Sequence, residues 1–232
     1  MLRCMDTPVV HDATPVLVRR IRPEDHDALR VFYARLSDES RRTRFLGPAS
    51  GIEADQSEYF CTPDHAHREG FVAVAGPFQE RLIGHVCVEP DGADAAEIAV
   101  AVADDAQGRG IGRTLVEAAV SWAREDGIGT LTATMLAGNP PIQRLLSGLG
   151  LPSTARPIGA GVVEIRIDLG AGDRRGLTGS RASPCDRRSG RSARPAMTSG
   201  RRPFVAAGRC WTRIGHPVAV PRPVDPETED SR

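Results

Sequence analysis

The chain has 232 residues with 30 basic and 30 acidic side chains, and every basic one is arginine, so chemistry that needs a lysine of its own is excluded. Zero net charge conceals an asymmetry: residues 1–169 hold 17 Arg against 24 acids, and residues 170–232 hold 13 against 6. No stretch has the apolar length of a signal-peptide core or a membrane span, and the five scattered cysteines lack any C-x-x-C, so reduced thiols in a cytoplasmic protein are expected.

Residues 1–14 are expected to be a flexible N-terminus. Val16–Ile21 reads as a short strand, and Arg22-Pro23-Glu24-Asp25 opens a helix with proline and acids in its first turn. Ala28, Leu29, Phe32 and Leu36 give that helix its buried stripe. Ser37 or Asp38 caps a second helix that runs to Phe45 and stops at Gly47-Pro48, and Ile52–Cys61 is a third helical piece. Gly70–Ala75 and Leu82–Glu89 are strands joined at Gly76-Pro77 as a hairpin, and Pro90-Asp91-Gly92 turns into the next strand. In Glu97–Ala103 the residues Ile98, Val100 and Val102 alternate with smaller ones, the period of a strand. After a glycine-rich loop, Thr114–Glu125 is helical with Leu115, Ala119, Trp122 and Ala123 inward, and Gly127 stops it. Leu131, Ala133 and Met135 alternate with threonines in a further strand. The helix between these two strands makes them a parallel pair. Asn139-Pro140 starts the last helix, with Ile142, Leu145, Leu146 and Leu149 inward and Gly150 at its end, and Val162–Leu169 is the final strand. From residue 170 arginine, glycine, serine and proline dominate, and a disordered tail is expected. Its arginines attract nucleic acid only non-specifically, so no specific nucleic-acid partner is expected.

The loop Gln107-Gly108-Arg109-Gly110-Ile111-Gly112 lies between strand and helix. Free backbone N–H groups at a helix start, backed by the helix dipole, make an anion site suited to phosphate. The dinucleotide pattern G-x-G-x-x-G fails at Arg113, and a P-loop needs a lysine. What remains is Q-x-x-G-x-G after a strand.

That motif resembles motif A of the GNAT superfamily of acetyl-CoA-dependent N-acetyltransferases. Asn139-x-x-Ile142-x-x-Leu145-Leu146-x-x-Leu149-Gly150-Leu151 resembles its motif B. The opening RRIRPEDHDALRVFYARLSDESRRTRFLGP, with DHAHREGFVAVAG, is similar to the bacterial protein lysine acetyltransferases that act on acyl-CoA synthetases. The resemblance implies a GNAT domain over residues 15–169, of α+β (mixed α/β) class. Its sheet would be twisted and mostly antiparallel, with one parallel pair at the CoA site and helices on both faces. The implied co-substrate is acetyl-CoA, with no metal. Cofactor contacts fall on Val100, Ala101, Val102, Gln107, Gly108, Arg109, Gly110, Ile111, Gly112, Arg113 and Asn139. The N–H of Val102 is the candidate for the oxyanion.

Acetyl transfer also needs a base for the ammonium. Glu97 is that candidate, in the AEIAV context where the similar enzymes place a catalytic glutamate. It shares the strand face of Ala99 and Ala101, small residues that leave space for substrate. A departure is Leu146, which stands where many GNAT enzymes carry a general-acid tyrosine; Tyr33 and Tyr59 lie in the N-terminal helices, where packing is their ordinary role. Cys61-x-x-x-His65-x-His67 lacks a fourth metal ligand. Arg41, Arg42 and Arg44 are expected to border the acceptor cleft. The acceptor is expected to be a protein, such as an acyl-CoA synthetase, or a small amine; a non-catalytic acyl-CoA sensor is the alternative, and no membrane partner is expected.

Overall fold

The computed structural model describes residues 7–11, 14–76 and 81–170. Among the described residues eight strands form one sheet: β1 Thr7–His11, β2 Thr14–Arg20, β3 Glu69–Ala75, β4 Arg81–Pro90, β5 Ala95–Val102, β6 Thr130–Leu136, β7 Ser153–Gly159 and β8 Val162–Asp168. Their order is β1-β2-β3-β4-β5-β6-β8-β7. All neighbours are antiparallel except β5 and β6, the parallel pair expected from the intervening helix. The helices are α1 His26–Arg35, α2 Asp38–Phe45, α3 Ala54–Cys61, α4 Ile111–Glu125 and α5 Pro140–Ser147.

Two strands differ from expectation. Residues 7–11, placed in a flexible terminus by the sequence, pair with β2 in a register of Val9 opposite Val16. Residues 153–159 carry no alternating apolar pattern, yet they pair with β8 as the outermost strand of the sheet. Partner strands fix both, and neither needs an apolar face of its own. Helix α5 closes at Gly148, two residues earlier than expected. The Gly76-Pro77 turn falls partly, and the tail from residue 171 wholly, outside the described residues.

The two faces of the sheet are covered by different helices. On one, Gly84 lets α4 approach so closely that a Cβ there would meet Leu115 at 2.7 Å. Leu115, Val116, Ala119 and Ala123 of α4 are buried against it. On the other, His85 touches Tyr33 of α1 and Phe60 of α3, with ring centroids 5.9 and 5.4 Å away. Cross-strand partners share a face, so Val102, Val100 and Ile98 look towards α4, while Ala101, Ala99 and Glu97 look towards α1–α3.

At the entry to α1, Arg19 and Asp25 form a buried two-pronged ion pair with both contacts at 2.7 Å. Burial works against the Asp25 charge, but Arg19 and the backbone N–H of Arg22 hold its carboxyl below the ordinary range. The pair fixes the chain where β2 becomes helix.

Candidate active site

Strands β5 and β6 pair only over Ala95–Glu97 and Thr130–Thr132. Beyond Glu97 they part, and a cleft of about 640 Å³ opens between them. Ile98, Ala99, Val100, Ala101 and Val102 form one wall and Ala133, Thr134 and Met135 the other; α5 covers one side and α2 reaches in from the other face.

Strand register decides which backbone groups look into this cleft. Ala103 N–H donates to Ile83 O at 2.8 Å, so Val102 and Gly84 are a pair without hydrogen bonds between them. In the alternation of an antiparallel ladder, the amides of Val102 and Val100 then point away from β4, into the splay. The oxyanion candidate Val102 therefore has its N–H on the cleft side.

The glycine loop closes the far end. Gly108 and Gly110 have φ of +74° and +80°, and a Cβ on either would meet nothing within 4 Å. Backbone conformation, not crowding, demands glycine at both places. Gly110 is the N-cap of α4, and Thr114 N–H returns to its carbonyl at 3.1 Å. The amides before it remain for an anion. Gln107, which lines the cleft, has its side chain engaged within the protein: its amide donates to Val102 O at 3.1 Å and to Ser40 Oγ at 3.3 Å. It braces the loop against β5 and α2.

Asp104 extends that brace. It accepts from Ser37 N–H at 2.8 Å, Ser37 Oγ at 2.7 Å and Ser40 Oγ at 2.6 Å. Partial burial opposes the Asp104 charge, yet these donors hold its carboxyl below the usual range. Ser37 is also the N-cap of α2, accepting from Ser40 N–H. Helix α2 is thus tied to the phosphate end of the cleft.

The cleft brings together all the sequence-proposed cofactor residues except Arg109, which is not among its lining. Ile111 is largely buried under it. Asn139 lines it and also caps α5, with Oδ1 accepting from Ile142 N–H at 3.4 Å. Arg113 bonds Glu117 at 2.8 Å on the surface of α4. Arg144, which carried no motif signal, joins Arg113 at the mouth.

Glu97 stands at the point where the strands separate, 6% exposed, on the face turned towards α1–α3. It lies just past the inner end of the cleft lining. Its partner across β4 is Glu89, itself buried. Glu89 accepts from Tyr59 OH at 2.7 Å and from Arg68 Nε at 3.0 Å, and the Arg68 guanidinium stacks 3.4 Å from the Tyr59 ring centre. Thr132, beside Glu97 on β6, donates towards Asp91 and Ala96 O, each at 3.4 Å. Tyr59, Arg68 and Glu89 carry no short motif; sequence separations of 21 and 30 keep their convergence out of local patterns.

Other candidates are committed elsewhere. Leu146 is buried and lines the cleft at the motif-B tyrosine position. Tyr33 is fully buried with its hydroxyl 2.9 Å from His85 Nδ1. Arg41 bonds Asp38 and Leu36 O, and Arg42 pairs with Glu39, so the expected basic border is locally consumed. Only Arg44 turns inward, 8% exposed, with Nη2 3.5 Å from Cys87 Sγ. Burial, reinforced by the Asp25 charge, pushes the Cys61 thiol up to about 12. His65 sits 3.1 Å from Glu69 and His67 3.5 Å from Asp64. Among the described residues no three potential ligands gather at a metal-binding position, and no helix is long and apolar enough to cross a membrane.

The profile of the acetyltransferase (GNAT) family matches residues 32–151. An acetyltransferase of Pseudomonas aeruginosa is 30% identical over 151 residues, which cover 63% of this chain and 80% of that protein. The crystal structure of the GNAT domain of S. lividans PAT is 31% identical with a TM-score of 0.64, covering 70% of this chain and 96% of that one. The structure of yncA from Salmonella typhimurium, solved with its cofactor acetyl-CoA, shares the fold at 18% identity and a TM-score of 0.56, covering 68% and 98%.

Proposed function

The chain belongs to the GNAT acetyltransferase family, and from that premise we propose that it transfers acetyl from acetyl-CoA to the side-chain amine of a protein lysine, with Glu97 as base. The observation that carries this reading is the splay of β5 from β6. It puts an anion-binding loop at one end and a buried carboxylate at the other, with about 16 Å of strand between them.

Acetyl-CoA, when bound, supplies a thioester carbonyl. The amides of Gly108–Gly112 hold its pyrophosphate, and Arg113 and Arg144 add positive charge at the mouth. The amides of Val100 and Val102 line the arm that follows, and Val102 N–H donates to the carbonyl oxygen as negative charge grows there. Glu97, five residues along β5 from Val102, takes one proton from the acceptor ammonium by relay through water, freeing the nitrogen lone pair to form the C–N bond. The C–S bond breaks; the second nitrogen proton passes to water, from which the departed sulfur is protonated afterwards, the third stays on the amide, and Glu97 returns its proton to water. Leu146 offers no proton, so the sulfur leaves as a thiolate, which is tolerable near neutral pH.

An acyl-CoA synthetase is the acceptor to try first, because the opening helices and the turn before β3 are similar to enzymes that modify such proteins. The reduced thiols of Cys61 and Cys87 fit a reducing compartment, which supports the cytoplasmic reading. Thiol release from acetyl-CoA, measured against a panel of acyl-CoA synthetases and lysine peptides, tests the reading. In Glu97→Gln the rate is expected to fall about 100-fold or more while acetyl-CoA affinity is unchanged. Full activity in that variant removes Glu97 as the base. The competing reading is a non-catalytic acyl-CoA sensor, and binding without turnover on any acceptor would select it.

A further inference from the structure

Strand geometry leaves a gap between the base and the reacting carbonyl. Glu97 and Val102 stand about 16 Å apart by strand rise, several times the length of one hydrogen bond. A proton that crosses this gap travels through water, and ordered water needs polar partners to hold it. On the face that carries Glu97, β5 presents Ala99 and Ala101 between the two points, and neither side chain forms hydrogen bonds.

The opposite wall supplies a group. Glu97 and Thr132 are partners in the parallel pair and share a face, and Thr134 follows Thr132 on it at the strand period of two. Thr134 is half-buried and lines the cleft. It stands about 7 Å past the level of Glu97, in the direction of Val102. Thr132 turns its own hydroxyl towards Asp91 and Ala96 O, whereas the Thr134 hydroxyl has no hydrogen-bond partner among the described residues.

The other polar side chains of the cleft are committed or cannot serve. Gln107 and Ser40 belong to the brace, and Thr43 Oγ1 donates to Glu39 O at 3.0 Å. The Glu39 carboxylate pairs with Arg42, and Asn139 caps α5. Arg44, Arg113 and Arg144 are donors without an acceptor site, so they cannot hand a proton on. A threonine hydroxyl has one donor and two acceptor sites, which lets it accept from one water while it donates to the next.

We propose that the Thr134 hydroxyl is the middle station of the proton path from the acceptor nitrogen to Glu97. This rests on the reading of Glu97 as the base. The hydroxyl takes a proton from the water on the nitrogen side as it gives its own to the water on the Glu97 side. It ends as it began, and one proton has reached the carboxylate. Glu164, the partner of Thr134 on β8, is the competing end point; its carboxylate accepts from Arg156 at 3.5 Å.

The test is thiol release from acetyl-CoA by the full chain, with an N-terminally blocked lysine peptide and the acyl-CoA synthetase panel as acceptors. Thr134→Val keeps the branched shape that suits a strand and removes the hydroxyl. Its kcat is expected to fall about tenfold, with the KM for acetyl-CoA and the urea midpoint unchanged. Thr134→Ser, which restores the hydroxyl on a smaller side chain, is expected to recover most of the rate; a packing role would not be rescued in this way. In a Glu97→Gln background Thr134→Val should cost little more, because one path is not broken twice, while beside Glu164→Gln it should keep its full effect. A kcat within about twofold of the wild type in Thr134→Val, with Glu97→Gln slow, overturns the relay and leaves the base assignment standing. A full second loss in the Glu97→Gln double variant, or a loss that Thr134→Ser does not recover, also overturns it. Glu97→Gln at full rate, or no thiol release with any acceptor, removes the base assignment and the relay with it.

Discussion

In the middle of β4, His85 is wholly buried, with Tyr33 OH on its Nδ1 and no hydrogen-bond partner for Nε2 among the described residues. Burial, helped by the Arg44 charge, pushes its pKa down to about 3, so the ring is neutral in the folded protein. The unfolded chain protonates this histidine near its ordinary value of 6.5. Between those values the unfolded state binds the extra proton, so this contribution to stability is present at pH 7 and is lost as pH falls. From pH 6.5 to pH 5 the loss from this residue is about 2 kcal/mol. Urea unfolding of the wild type at pH 7 and pH 5, beside His85→Phe, checks it. The variant is expected to be less stable at pH 7, having lost the Tyr33 bond, but to show a smaller drop on acidification; an equal drop in both would exclude His85 as the source.

One scale up, the connection between α2 and the loop before α4 is made almost entirely by Asp104 and Gln107. Removing the Asp104 carboxylate leaves Ser37 and Ser40 without their shared acceptor, though Ser37 still caps α2 through Ser40 N–H. Because the group is largely exposed, the stability cost of Asp104→Ala is expected to be only about 1 kcal/mol. The effect on the cleft should be larger, since Ser40, Thr43 and Arg44 of α2 all line it. Acetyl-CoA affinity in Asp104→Ala is expected to drop about tenfold by calorimetry, with chemical denaturation little altered; unchanged affinity would reduce the brace to a local cap. Legibility at this scale followed locality. Helices α2 and α5 were readable because Ser37 and Asn139 cap them from adjacent sequence, and the glycine loop because its backbone needs are local. Strand β7, with Pro157 and Gly159 in it and most of its side chains exposed, shows no periodicity, and only its pairing with β8 makes it a strand. Tyr59 and Arg68 were likewise unreadable as site neighbours, because only the register of β4 against β5 delivers Glu89 to Glu97.

For the molecule as a whole, every residue that lines the cleft lies between Glu39 and Leu146. The sheet that creates the splay continues from β6 into β8, whose end is secured by Leu169 N–H to Gly129 O at 2.9 Å and by Arg124 Nε to Leu169 O at 3.4 Å. A chain ended after Gly170 therefore keeps each element that shapes the site, and its denaturation midpoint is expected to match that of the full chain. What it loses is charge: 13 arginines against 6 acids between residues 170 and 232. CoA carries several phosphate charges, so a basic segment tethered to the same molecule raises local attraction for it only where screening is weak. The shortened chain should bind acetyl-CoA as tightly as the full one at about 0.15 M salt, and somewhat more weakly at about 0.01 M. Calorimetry at the two ionic strengths separates the effects. A large loss of affinity that persists at the higher salt would make the tail part of the binding site rather than a source of charge alone.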